Sequence, residues 1–167
     1  MKDYHSLVDL LRSEKLTLAT AESCTGGLIA KLITDIPGSS EVFVGGIVSY
    51  SNDMKEKWLG VSHETLEKFG AVSEKTVSEM LDGILKQTGS DLGIAVSGIA
   101  GPGGGTLEKP VGTVYIGIAF HGQKIIEQCF FQGSREDVRI ASAKKAANMI
   151  VKMIRSKSNQ ISLAKDD

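Results

Sequence analysis

Hydrophobic positions along this chain follow two different periods, and the switches between them mark out its elements. Tyr4, Leu7, Val8 and Leu11 recur at i, i+3, i+4 and i+7, the spacing that gathers them on one face of a helix. Leu16 to Ala21 is short, apolar and rich in threonine, which predicts a strand. Helical spacing returns at Leu28, Ile29, Leu32 and Ile33 and stops at Pro37-Gly38. Val42 to Tyr50 (V-F-V-G-G-I-V-S-Y) is β-branched and aromatic, and reads as a second strand bent at its glycines.

Residues 53–70 read as two short helices around a W-L-G-V-S-H turn. Ser73 is placed to cap the next helix, with Val77, Met80, Leu81 and Ile84 facing inward and Gly89 at its end. Leu92 to Val96 is a third buried strand. Val111 to Phe120 and Lys124 to Phe131 form a hairpin around His121-Gly122. Ser134 and Asp137 have the spacing of a capping box, opening a last helix with Ala143, Ala147, Ile150 and Ile154 along one side. This alternation predicts an α/β protein: a three-layer α/β/α sandwich with a mixed, mostly parallel sheet of about five strands, one of them antiparallel. One domain covers residues 1–157, and the polar tail 158–167 is expected to fray.

Composition narrows the function classes. The chain has 167 residues, 41% hydrophobic and 23% charged, as in an ordinary soluble domain. Its 19 basic and 20 acidic side chains nearly cancel, and no long basic run is present, which argues against a nucleic-acid partner. The opening residues lack the apolar core of a signal peptide, and no stretch is long enough to span a bilayer, so no membrane partner is expected. Cys24 and Cys129 form no C-x-x-C pair, consistent with free thiols in a cytoplasmic protein. No His/Cys/Asp cluster has metal-ligand spacing, so neither metal nor cofactor is expected.

In an open α/β sheet, ligands collect at the carboxyl ends of the parallel strands. Three loops leave such ends: A-E-S-C-T-G-G, S-Y-S-N-D-M-K and S-G-I-A-G-P-G-G-G. If the first three strands are neighbours, these loops converge on one crevice. The third loop carries five glycines from Gly98 to Gly105, but it has neither a G-K-[ST] ending nor a G-x-G-x-x-G fingerprint. Its glycines serve either a tight turn or close backbone approach to an anion. Gly26-Gly27, at a helix start, is a second candidate anion site. Arg135 is either a bidentate contact for phosphate or carboxylate, or a solvated surface arginine.

A serine nucleophile needs a positioned base. His5 lies on the opening helix, His63 at a helix start and His121 in a hairpin turn, so none is expected in the crevice. Lysine is the other available base when its site lowers its proton affinity. Lys55 follows Tyr50 and Asn52 just past the second strand, where Tyr50 could relay a proton to Lys55 or hold a serine in place. A solvated lysine and a tyrosine covering the core are the plainer alternatives. Cys24 is the stronger nucleophile as thiolate but has no histidine to ionise it. Ser23 can project from the strand-to-helix turn while the N–H groups of Thr25 and Gly26 line an oxyanion site. Glu22 is either a structural carboxylate or an orienting group.

The blocks A-E-S-C-T-G-G, G-x-V-S-Y-S-N-x-x-K, A-V-S, S-G-I-A-G-P-x-G-G and E-K-P-V-G-T-V, in this order, resemble the CinA C-terminal domain family. The likeness covers nearly the whole chain. It implies the same three-layer sandwich and, from the stand-alone members, hydrolysis of the carboxamide of nicotinamide mononucleotide to nicotinic acid mononucleotide and ammonia. On that resemblance Ser23 is the nucleophile, Lys55 the base and Tyr50 its assistant. Thr25, Gly26, Asn52, Ser97, Gly98, Gly101 and Arg135 would line the mononucleotide pocket. Family members commonly associate, which implies a homo-oligomer. Longer members carry an additional N-terminal domain linked to nucleotide pyrophosphatase activity, and its metal-dependent chemistry is not carried over. A non-catalytic nucleotide-binding or interaction module is the alternative reading.

Overall fold

The computed structural model of the chain describes residues 2–163, with side chains described from 3 to 156. Its elements are α1 (Lys2–Glu14), β1 (Leu18–Glu22), α2 (Leu28–Thr34), a 3-10 turn (Ser39–Glu41), β2 (Phe43–Val48), α3 (Asn52–Leu59), α4 (His63–Phe69), α5 (Glu74–Thr88), β3 (Leu92–Gly98), β4 (Thr113–Phe120), β5 (Gln123–Phe130) and α6 (Arg135–Leu163). The sheet order is β2-β1-β3-β4-β5. β1 pairs in parallel with both β2 and β3, while β4 pairs antiparallel with β3 and with β5. Four strands therefore share a direction and β4 alone runs against them. This is the mixed, mostly parallel sheet with one reversed strand that the pattern predicts.

Strand alternation gives the sheet two unlike faces. Leu18, Leu92, Ile94, Val96, Val114, Ile116 and Ile118 point to one side, against α1, α2 and α6. Ala19, Ala21, Ala95 and Ala119 point to the other, against α3, α4 and α5. Gly93 and Gly117 continue that small-residue face, and a Cβ at Gly117 would stand 2.7 Å from Val77 of α5. The helix lies close to the sheet because those positions carry almost no side chain. On the opposite layer the Tyr4 hydroxyl donates to the Ala143 carbonyl at 2.8 Å, tying α1 to α6. Among the described residues no helix is long and apolar enough to cross a membrane.

The local signals act where they stand. Ser51, Ser62 and Ser73 cap α3, α4 and α5, accepting from the N–H groups of Met54, Thr65 and Thr76. Gly60 and Gly89 close α3 and α5 in the left-handed conformation. Asp137 accepts from the Ser134 N–H and hydroxyl while its own N–H donates to Ser134 Oγ, the expected capping box. His121 and Gly122, with φ of 47° and 76°, make the two-residue hairpin loop. The bend expected in β2 is a register slip: Leu18 faces Phe43, but Ala19 faces Gly45. Strand boundaries shift by one or two residues: β1 is Leu18–Glu22, β2 ends at Val48 rather than Tyr50, β3 runs on to Gly98 and β4 starts at Thr113, while α6 continues to Leu163, into the expected polar tail. Residues 164–167 of that tail lie outside the described residues.

Candidate active site

Because β2, β1 and β3 are neighbours, the three loops beyond their carboxyl ends meet at one edge of the sheet. Ser23 extends β1, its N–H donating to the Val96 carbonyl at 2.9 Å, while the Ser49 N–H donates to the Glu22 carbonyl. Ser23 continues the parity of Ala19 and Ala21, so its side chain belongs to the face covered by α3 and α5. From that layer comes Lys55. It shares the inward side of α3 with Leu59, one turn later, and is only 1% exposed. Its Nζ donates to Ser23 Oγ at 3.0 Å and to the Ser49 carbonyl at 2.8 Å. Burial lowers the Lys55 pKa to about 8.

Cys24, beside Ser23, is buried, and burial pushes its thiol up to about 12, far from an ionised nucleophile. His63 is exposed and pairs with Glu56 and Glu67, and His121 forms the hairpin turn, away from the serine. The only base hydrogen-bonded to Ser23 among the described residues is Lys55.

Glu22 resolves as the cap of α2. Its buried carboxylate accepts from Gly27 N (3.0 Å), Ile29 N (3.1 Å) and Ala30 N (2.8 Å). An acid placed on the positive end of a helix satisfies donors that Gly27, the left-handed residue before α2, has no side chain to serve. This corrects the expected oxyanion site, because the Gly26 N–H is also committed, donating to the Ser23 carbonyl at 3.0 Å. The Thr25 N–H, the other member of that pair, lies beside the Cys24 sulfur. The Thr25 hydroxyl is buried without a hydrogen-bond partner among the described residues, as is that of Ser49.

Tyr50 departs from expectation. It is 59% exposed, and its hydroxyl accepts from Arg135 Nη2 at 2.6 Å instead of meeting Lys55 or Ser23. The cause is strand parity: Ser49 points into the protein, so its neighbour Tyr50 points out. Arg135 also donates to the Gly101 carbonyl at 2.7 Å, joining the head of α6 to the Gly-rich loop. In that loop, the N–H groups of Gly101, Gly103, Gly104 and Gly105 have no acceptor among the described residues. Ser97 is buried, and its hydroxyl donates to the Ala71 carbonyl at 2.7 Å, which ties down the loop before α5. At Gly98 a Cβ would stand 2.7 Å from the Val114 side chain, so the close approach there is to β4. Asn52, in the first turn of α3, is exposed.

Arg139 escaped the sequence reading. Its guanidinium donates twice to the Thr25 carbonyl, at 2.8 and 3.2 Å, clamping the nucleophile turn to α6. The available signal was its spacing, one helical turn beyond Arg135 and thus on the same side of α6.

The family model for the CinA C-terminal domain matches residues 2–154. A CinA-like protein of Thermotoga maritima is 50% identical over 151 residues, covering 90% of this chain and 37% of that protein. A putative competence-damage inducible protein of Moorella thermoacetica is 48% identical over 88% of this chain and 36% of its own length. The chain thus spans about a third of these curated relatives. Solved structures match along nearly their whole length. A competence/damage inducible protein CihA from Agrobacterium tumefaciens has a TM-score of 0.85 at 40% identity, covering 90% of this chain and 94% of that one. A CinA superfamily protein from Klebsiella pneumoniae 700603 has a TM-score of 0.90 at 34% identity, covering 93% and 97%. With sequence and fold in agreement over almost all of its length, this chain belongs to the CinA C-terminal domain family.

Proposed function

We propose that this domain is a cytoplasmic amidohydrolase that cleaves the carboxamide of nicotinamide mononucleotide, with Ser23 as nucleophile and Lys55 as base. The observation that carries this reading is the buried 3.0 Å contact between Lys55 Nζ and Ser23 Oγ. A lysine whose pKa is lowered to about 8 supplies a workable fraction of neutral amine near neutral pH. Ser23 Oγ attacks the carboxamide carbon as its proton passes to Lys55. The lysine returns that proton to the departing nitrogen, and ammonia leaves. Water then hydrolyses the acyl-enzyme, giving nicotinic acid mononucleotide and restoring the serine. The Thr25 N–H supports the oxyanion. The free N–H groups of the Gly-rich loop, with Arg135, suit the substrate phosphate.

The test is ammonia release from nicotinamide mononucleotide. Ser23→Ala is expected to lower the rate by about three orders of magnitude or more, whereas Cys24→Ala keeps most of it. Full activity in Ser23→Ala removes the assignment. Tight mononucleotide binding by the unaltered protein without turnover would make it a binding module instead.

A further inference from the structure

The block E-K-P-V-G-T-V takes no part in this catalytic reading, yet its lysine stands in a distinctive place. Lys109 is half-buried, and its ammonium donates to the Phe69 carbonyl at 2.9 Å, with no acidic partner among the described residues. It borders a cavity of about 700 Å³ whose lining includes Lys68, Phe69, Lys109, Tyr115 and Lys124. Lys68 likewise lacks an acidic partner among the described residues and lies 5.4 Å from the centre of the Phe69 ring. Lys124 pairs with Asp82, and Lys75, also in the lining, pairs with Glu79, which leaves Glu74 as the one acid of the lining itself. Tyr115 is half-buried, and its hydroxyl has no hydrogen-bond partner among the described residues. Phe69 is 43% exposed beside it.

The volume suits a small organic ligand. Two ammonium groups without an acidic partner among the described residues suit an anion, and an exposed aromatic ring beside a phenol suits a planar ring and a polar edge. We infer that this cavity, between α4, α5 and the β4–β5 hairpin, is a second binding site for an organic phosphate bearing a planar ring, of the mononucleotide class. Neither Ser23 nor Lys55 lines it. Ser97 pairs with Tyr115 across the sheet, and its hydroxyl is already taken by the Ala71 carbonyl. The site stands whether or not Ser23 is a nucleophile.

Adenosine 5′-monophosphate, which carries no carboxamide to cleave, is the probe. Calorimetric titration of the full chain is expected to give saturable one-to-one binding that weakens as salt is raised. Adenosine without phosphate binds at least about tenfold more weakly, and Lys68→Gln/Lys109→Gln lowers affinity for the nucleotide by about tenfold or more. Lys68→Gln alone, at an exposed helix position, lowers it by about threefold and serves if the double variant melts early. Lys144→Gln on α6 and Ser23→Ala leave it unchanged. Absence of saturable binding, indifference to both lysine changes, or loss of binding in Ser23→Ala overturns the assignment, the last by placing the nucleotide in the catalytic crevice.

Discussion

At the residue scale the site depends on one buried cation. Lys55 donates to Ser23 Oγ and to the Ser49 carbonyl, so its charged form has hydrogen bonds but no carboxylate beside it. Burial therefore prevails, and its pKa falls to about 8. Only the neutral amine can take the serine proton, and about one molecule in ten carries it at pH 7. The expected pH–rate profile of kcat/KM rises through pH 7 and levels off above about 8, and a profile flat from pH 6 to 9 would exclude Lys55 as the base. Glu22 is the second decisive residue. Its two oxygens accept three N–H groups, and a glutamine must turn its amide nitrogen toward at least one of them. Glu22→Gln is expected to destabilise the fold by about 1–3 kcal/mol in urea titration, and to lower kcat more than it raises KM because the Ser23 turn loosens.

At the element scale, the question is how a lysine on α3 reaches a serine after β1. The helix is short, and its approach is set by Gly83 of α5, where a Cβ would collide with the Leu59 carbonyl. Gly83→Ala forces α3 outward and carries Lys55 with it. The expectation is a loss of about 1–3 kcal/mol in stability together with reduced activity, measured on the same preparation. Activity retained at full level alongside a clear stability loss would show that α3 adjusts without moving its lysine. Helix and strand boundaries were legible here because serine caps, glycine stops and a two-residue hairpin loop are local devices. The expected end of β2 lies two residues too far along because Ser49 and Tyr50 match strand composition, whereas the chain leaves the ladder as it turns into the Ser51 cap.

For the molecule as a whole, the same lysine opposes stability. Its folded pKa of about 8 lies below the ordinary 10.5, so between these values the unfolded chain holds a proton that the folded chain has released. Stability from this group accordingly rises with pH across that window, and below about 8 its full cost is present. Lys55→Met removes the buried charge at similar length. It is expected to be inactive yet to melt no lower than the parent at pH 7, and to lose the alkaline rise in Tm. A markedly lower Tm for Lys55→Met would mean that the lysine contributes to the fold through its two hydrogen bonds.

The sequence by itself determined the layers and the candidates. Periodicity assigned strands and helices, and the shortage of usable histidines pointed to lysine. Contacts between elements were decided only by tertiary structure, because spacing along a chain carries neither side-chain direction nor distance across a crevice. It brought Lys55 to Ser23, turned Tyr50 outward to Arg135, gave Ser97 to Ala71, and set Arg139 on the Thr25 carbonyl. It also spent the Gly26 and Gly27 N–H groups inside the protein, since an acid buried at a helix start takes the donors that an incoming anion would otherwise use.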